Sequence, residues 1–409
     1  MGSGQSSTGH QVRYHVSEAG LRGSRETMED AHIHCQLPSH SNIHFFGVFD
    51  GHGGTNTPQY VKQNLHLEFD RCLGKESSNA LALVGGAAFT TACILTDENY
   101  LRAYPRDASG STAVCAAIDL EMGHLLCANI GDAQAVLSRA GTCVSLSQLH
   151  KPSVKEEKDR IDRTGHSVLR SRIDGALAVS RSFGDRFFKH TRTQGDADRE
   201  KGQGLLPDRV TLHPSSPPAE RACCAIPHIQ MLTLSPLDEF VVLGCDGLFD
   251  VMSDQGVVDF VRGRLIAARG TEVLYKTSAV PIVQGAPKNV EVLESSGPPD
   301  DIGVLGGVRG MNNNTRLPPE SAATVPTLTG TIPRSTKFDS KEASTSKLET
   351  RWDMLQQSAT ELAEYAINTL QSKDNVSIII IYLDWGATVS SNTKDQDSEQ
   401  SPRPRPSAE

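Results

Sequence analysis

Ile43-His44-Phe45-Phe46-Gly47-Val48-Phe49-Asp50-Gly51-His52-Gly53-Gly54 is the stretch on which the reading of this fold turns. An apolar run of strand length stops abruptly at an aspartate in a glycine turn. Val241-Val242-Leu243-Gly244-Cys245-Asp246-Gly247 repeats the design. Two strands that each deliver an aspartate at a glycine turn can bring those carboxylates together at one end of a sheet assembly. Further acids stand in similar settings: Glu29 and Asp30 in Arg25-Glu26-Thr27-Met28-Glu29-Asp30, Asp132 after Gly131, and Asp374 before Asn375. Hard divalent cations such as Mg²⁺ and Mn²⁺ prefer carboxylate, carbonyl and water oxygens, so the set points to a two-metal hydrolase site.

Outward from these turns the pattern mixes strands and helices. Gly110 to Leu120 and Leu125 to Ser138 read as strands, the second broken at Gly131-Asp132 into a hairpin with an aspartate at its tip. Helices are predicted for Thr57 to Leu73, Ala80 to Tyr104, Val154 to Arg163 and Ser253 to Arg269, with Ser253 as N-cap. A last helix near Glu349 to Ser372 and a strand from Val376 to Leu383, with its Ile378-Ile379-Ile380-Ile381 run, close the ordered pattern. Between about 270 and 350 the composition turns to Pro, Gly, Ser and Thr, and this stretch is expected to be a disordered insertion inside one domain spanning 14–385. His190 to Val210 is a second polar stretch. Residues 1–13 and 386–409, the latter carrying Pro402-Arg403-Pro404-Arg405-Pro406, are expected to be flexible tails.

With 409 residues, 37% of them hydrophobic, the chain can bury one large core or two modest ones. A formal charge of -9 leaves no broad basic footprint, so nucleic acid is not an expected partner. The nine cysteines are odd in number, sit mostly in apolar runs and show no CxxC spacing, which reads as reduced core residues of an intracellular protein. Arginine never follows a cysteine by six places, so a thiolate phosphate loop is not encoded. P-loop, His-Glu-x-x-His and Gly-x-Ser-x-Gly patterns are absent too. No secretory signal is evident, and no apolar run reads as long enough to span a bilayer. Met1-Gly2-Ser3-Gly4-Gln5-Ser6 fits the pattern for myristoylation of Gly2, and fits a flexible tail equally. A single acyl chain would give only weak, reversible membrane association. The expectation is a cytoplasmic monomer, with membrane-associated or nuclear placement as alternatives.

Taken in order, Arg25-x-x-Met28-Glu29-Asp30, Phe49-Asp50-Gly51-His52-Gly53-Gly54, Ser109-Gly110-Ser111-Thr112-Ala113, Ala128-Asn129-Ile130-Gly131-Asp132, Leu177-Ala178-Val179-Ser180-Arg181-Ser182-Phe183-Gly184-Asp185, Cys245-Asp246-Gly247-Leu248-Phe249-Asp250 and Asp374-Asn375 resemble the metal-dependent serine/threonine protein phosphatases of type 2C. Any one motif alone is an ordinary turn. The shared order, over nearly all of Tyr14 to Asp384 apart from the insertions, carries the resemblance.

The resemblance implies an α+β fold: a sandwich of two antiparallel β-sheets flanked by α-helices, with a binuclear metal site at one edge. Two Mn²⁺ or Mg²⁺ ions are implied, with a weaker third. By motif, Asp50 would bridge both ions, Asp246 and Asp374 would complete one ion's protein ligands, and Glu29 with the Gly51 carbonyl would hold the other. Asp132, with Asp246, matches the third-ion position, and Asp30 would orient a water from behind the ligands. The implied substrates are phosphoserine and phosphothreonine proteins. A phosphoserine ester resists attack because water is a poor nucleophile and the departing alkoxide is strongly basic. Two ions roughly 3.5–4 Å apart acidify water and neutralise phosphoryl charge. His52 would protonate the leaving oxygen, and Arg25 would offer a planar cationic fork to the phosphate. Asp185 and Asp250 also match family positions, as a cap or turn or as a metal neighbour.

The chain departs from the family pattern at Leu149-His150-Lys151-Pro152, at Gly131-Asp132-Ala133-Gln134 and at Phe249, which replaces a frequent tryptophan. These changes spare the carboxylates and bear on local packing, regulator binding or the third-ion position. Three other readings stand beside the resemblance. Asp50-Gly51-His52 could open a different metallophosphoesterase, although a Gly-Asn-His-Asp block is missing. A non-catalytic scaffold could keep the fold and bind partners through its insertions, and a small-molecule phosphatase could share the site.

Overall fold

The computed structural model describes residues 12–74, 79–189, 217–277 and 353–385. Strands β1 (Arg13–Leu21), β2 (Ala31–Gln36), β3 (Ile43–Phe49), β4 (Gly51–His52), β5 (Gly110–Ser111), β6 (Ala113–Asp119), β7 (His124–Ile130), β8 (Gln134–Arg139) and β9 (Thr142–Ser145) dominate the first part of the chain. They are followed by β10 (Val168–Leu169), β11 (Arg172–Ile173), β12 (Phe183–Gly184), β13 (His228–Thr233), β14 (Asp238–Gly244) and β15 (Val376–Asp384). Two five-stranded antiparallel sheets result, ordered β1-β15-β14-β8-β9 and β13-β7-β6-β3-β2.

The run Ile378 to Ile381 shows why the sheets stack. Side chains alternate across a strand. Ile379 and Ile381 enter the core between the sheets with Phe46, Val48, Val114, Leu137 and Val241. Ile378 and Ile380 face the other way, onto α5 (Asp254–Thr277) and α6 (Ser358–Glu364), among Val257, Val261 and Leu362. Phe45 on β3 likewise points outward, to α1 (Asn56–Leu73) and α2 (Ala80–Ala103), against Leu65, Phe69 and Phe89. Each such fully buried side chain contributes about 1.5–3 kcal/mol. The central strands are therefore apolar on both faces, and a continuous apolar run suits them better than alternation.

Most helices fall close to their predicted bounds. Ser253 caps α5, its Oγ accepting the Gly256 N–H at 3.2 Å. That helix runs to Thr277, past its expected end and into the stretch assigned to the insertion. Residues 278–352, the whole His190 to Val210 stretch, residues 1–11 and residues 386–409 lie outside the described residues, whereas Val12 and Arg13, expected in the flexible N-terminal tail, are ordered: Val12 is buried and Arg13 opens β1. Of the expected last helix, Ser358–Glu364 is α-helical and continues as a π-helical turn, Tyr365–Thr369. β15 then lies between β1 and β14, inside the sheet.

Two expectations are corrected. The predicted hairpin at Gly131-Asp132 is a crossing: β7 pairs with β6 and β13 in one sheet, and β8 pairs with β14 and β9 in the other. His150 occupies both backbone groups of Gly131. Its Nδ1 accepts the Gly131 N–H at 3.2 Å, and its own N–H donates to the Gly131 carbonyl at 3.0 Å. Gly131 takes φ +90° as the chain changes sheets. The second correction concerns apolar length. By length and composition α2 is apolar enough to cross a membrane, but half of that window is buried and Leu81, Phe89 and Ala92 pack it onto the sheet as a core helix.

Candidate metal centre

Strand ends and crossings place the acids. Asp50 follows β3 and precedes β4, Asp132 lies in the β7–β8 crossing, and Asp246 opens the one-turn helix α4 (Asp246–Phe249) after β14. Asp374 immediately precedes Asn375 and β15. Carboxylate oxygens of Asp50, Asp132 and Asp246 lie within 4.8 Å of one another. Together with Arg25, Glu29, Gly51, His52, Asp374 and Asn375 they line a cleft of about 630 Å³.

Asn375 organises one wall. Its Oδ1 accepts the Glu29 N–H at 2.8 Å, and its Nδ2 donates to the carbonyls of Arg22 and Thr27 at 2.8 and 3.0 Å. The loop carrying Arg25 and Glu29 is thereby tied to the segment carrying Asp374. Sequence reasoning quoted Asn375 within a motif and assigned it no role. Close backbone approach explains the neighbouring glycine: a Cβ on Gly51 would stand 2.3 Å from the Glu29 carbonyl. Glu29 itself receives hydrogen bonds from Thr27 Oγ1 and the Gly54 N–H, at 3.1 and 3.3 Å.

The electrostatics are those of a site lacking positive charge. Desolvation, followed by the charges of Asp246, Asp30, Asp132 and Asp374, raises the Asp50 pKa well above the carboxylate range. Asp246 is pushed up to about 7 by desolvation and then by Asp132, Asp250 and Asp374. Asp30, buried behind the cleft, rises to about 6, mainly by desolvation, while Ser377 and Cys245 hold it down in part. Its Oδ2 has no hydrogen-bond partner. Lys151 and Arg25 each pair with one of these carboxylates and offset part of the charge. Lys151 Nζ bonds Asp132, and Arg25 Nη2 bonds Asp374 Oδ2 at 2.6 Å. An all-oxygen donor set, mutual repulsion and an orphaned buried oxygen together fit hard divalent cations.

Every residue to which the resemblance assigned a role, except Asp30, lines this cleft; Asp30 is buried close enough for its charge to act on Asp50, and Asp185 and Asp250 are not among the lining residues. Arg25, expected as a phosphate fork, is 59% exposed at the rim and engaged with Asp374. His52 is held by a residue that sequence reasoning left between a turn and a metal neighbour: its Nε2 lies 3.0 and 2.9 Å from the two carboxylate oxygens of Asp185. Burial alone would lower the His52 pKa; the Asp185 charge and hydrogen bond override it and raise it.

Comparison with known proteins agrees with this geometry. The family model described as Protein phosphatase 2C matches residues 14–289. A probable protein phosphatase 2C of Caenorhabditis elegans is 36% identical over 263 residues, 63% of this chain and 65% of the relative. Protein phosphatase 2C homolog 2 of Schizosaccharomyces pombe is 34% identical over 278 residues, covering 66% and 67%. This chain thus spans about two thirds of the length of these relatives. Among solved structures, a phosphatase from a pathogenic strain of Toxoplasma gondii superposes with TM-score 0.53 at 21% identity, over 92% of this chain and 96% of that one. At that identity the superposition carries the fold alone.

Proposed function

Because the chain belongs to the protein phosphatase 2C family, a metal-dependent family, we propose that it hydrolyses phosphoserine and phosphothreonine esters of proteins with two Mn²⁺ or Mg²⁺ ions. One observation carries the reading: Asp50, Asp132 and Asp246 converge within 4.8 Å in a cleft whose walls also present His52 and Arg25. Asp50, Asp246 and Asp374 would hold one ion, and Asp50, Glu29 and the Gly51 carbonyl the other. Asp132 would join Asp246 at a weaker third position. When bound, such ions acidify water and screen phosphoryl charge.

The remaining work falls to the protein's own groups. Arg25 sits where its guanidinium can turn from Asp374 to phosphoryl oxygens, two parallel donors meeting a planar acceptor pair. His52 is the proton donor for the leaving serine or threonine oxygen, a task suited to a side chain that titrates near neutrality. Asp30 supplies a buried acceptor behind the ligands for orienting water. Leu177, Ala178 and Val179 give the cleft an apolar side that limits water around the ester.

The test is phosphate release from a phosphothreonine peptide with Mn²⁺ or Mg²⁺, run beside a chelator control and Asp50→Asn. Turnover should require the added metal and fall by more than about 100-fold in the variant. A folded, metal-binding protein without turnover would reject the reading. Gly2 lies outside the described residues. Its lipidation, with weak membrane association, is a separate proposal that an intact-mass measurement on protein from a eukaryotic cell would decide.

A further inference from the structure

Beside the carboxylate cluster lies a three-stranded patch ordered β12-β5-β4. Its register sets His52 on β4 opposite Gly110 on β5, and Gly110 opposite Gly184 on β12. Asp185 follows directly. His52 and Asp185, distant in sequence, therefore flank one glycine, and their side chains meet over it. A Cβ on Gly110 would stand 2.3 Å from both His52 Nε2 and Asp185 Oδ2. The Gly110 φ lies outside the left-handed region, so this contact rather than backbone freedom calls for glycine.

Asp185 is itself held rigidly. Its side chain is 6% exposed, whereas that of His52 is 37% exposed toward the cleft. Ser182 Oγ donates to Asp185 Oδ2 at 2.5 Å, and the Asp185 N–H donates to the Ser109 carbonyl at 3.0 Å. Its backbone is left-handed, φ +46°, an uncommon conformation for a residue with a side chain, and aspartate tolerates it better than most. Beneath it, buried Asp97 accepts the Gly184 N–H at 2.9 Å and faces Lys189 Nζ at 3.1 Å. The carboxylate thus arrives at the imidazole from a fixed platform.

We propose that Asp185 is the positioning residue for His52: its carboxylate fixes the imidazole through Nε2, which leaves Nδ1 as the nitrogen that serves the leaving oxygen. The inference rests on the phosphatase reading above and adds a residue to it. In the step, the ring carries a proton on each nitrogen, and Asp185 holds the Nε2 proton throughout. As the ester P–O bond breaks, the Nδ1 proton passes to the departing serine or threonine oxygen. The oxygen of water forms the new P–O bond; one of its protons stays with the phosphate and the other returns the imidazole to its starting state. Held by both carboxylate oxygens, the ring loses the rotational freedom that would otherwise weaken proton transfer.

The experiment compares two substrates, a phosphothreonine peptide, whose alkoxide needs a proton, and p-nitrophenyl phosphate, whose phenolate leaves without one. Asp185→Ala should lower kcat on the peptide by about 100-fold, the usual scale of general acid catalysis, and on p-nitrophenyl phosphate by less than about 3-fold. In a His52→Ala background the same change should add nothing on the peptide. Gly110→Ala, which wedges the pair apart, should show the same substrate-dependent loss. Nitrogen-15 NMR of the Mg²⁺-loaded protein should find a retained Nε2 proton on His52 that the Asp185 change releases.

Equal losses on both substrates in a folded variant, or a further loss in the His52→Ala background, overturn the proposal. Should Asp185→Ala fail to fold, Asp185→Asn and Gly110→Ala carry the comparison under the same criteria. Should the wild type turn over neither substrate, the phosphatase reading falls, and NMR alone decides the positioning claim: an Nε2 proton that exchanges equally fast with and without Asp185 overturns it.

Discussion

Two groups of buried acids in this molecule behave in opposite ways. On α3 (Lys155–Arg163), Glu157 receives Arg160 Nη2 at 2.7 Å and Arg181 Nη2 at 2.6 Å. Burial works against its charge, but hydrogen bonds from Arg181 and the nearby Arg160 hold its pKa down at about 2. At the metal centre Asp246 faces other carboxylates and rises to about 7. The residue chemistry is the same and the partners differ. A buried acid matched by guanidinium groups joins pieces of the scaffold, here α3 to the Ser180-Arg181-Ser182 segment. A buried acid surrounded by acids leaves a deficit of positive charge, which is what a cation site requires.

The contrast breaks hardest at Glu157. Glu157→Gln strands two partly buried guanidinium groups, and unfolding by urea at neutral pH should show a loss of about 3–5 kcal/mol. A loss below about 1 kcal/mol would mean that the pair contributes no more than a surface ion pair. The opposite change is expected at Asp246. With chelator present, Asp246→Asn removes repulsion and should stabilise the metal-free protein by about 1–3 kcal/mol while turnover with metal collapses.

The pH dependence follows from the same signs. The folded pKa of Asp246, about 7, lies above that of the unfolded chain, so in the metal-free protein its contribution is intact below about 4 and is lost as pH rises through about 7. Glu157 has a depressed folded pKa, so its contribution is present above about 4.3 and is lost as pH falls through about 2. Thermal melts in chelator should therefore be flatter between pH 4 and 7 for Asp246→Asn than for wild type. Identical slopes would show that Asp246 ionises like a solvated carboxylate.

The smallest stability effect is expected where the two kinds of site meet, at the exposed Arg25–Asp374 pair. Arg25→Ala should leave the melting temperature nearly unchanged yet lower kcat/KM on a phosphothreonine peptide by about 10-fold or more, through lost phosphate binding. An unchanged kcat/KM would return Arg25 to the role of a rim ion pair.

Much of this was legible from residues. The apolar runs ending in Asp50-Gly51 and Asp246-Gly247 are the strands that deliver those acids, and Ile378 to Ile381 is a strand buried on both faces. Gly131-Asp132 misled, because a glycine-aspartate pair between two apolar strands has the local chemistry of a hairpin. Only the pairing of β8 with β14, far along the chain, shows that the two strands part into different sheets. Asn375 was visible as a motif member without a role and Asp185 only as a cap, a turn or a metal neighbour, since their partners, Glu29 and His52, are 346 and 133 residues away. Asp374 is the sharpest case: it lies beyond the stretch matched by the family model, and β15 returns it to the cleft.

The amino-acid order by itself determined which segments are apolar enough to become strands and helices, and which carboxylates stand at their ends. Hydrophobic burial and turn chemistry act over a few neighbouring residues, so their signal is local and can be read along the chain. Only the tertiary structure decided which acids are neutralised by arginine and which crowd one another, which sheet receives β8, and which carboxylate orients His52. Coulomb energies and hydrogen bonds depend on separation in space, and nothing in the spacing of residues 52, 110 and 185 along the chain shows that packing brings the His52 and Asp185 side chains to 2.9 Å over Gly110.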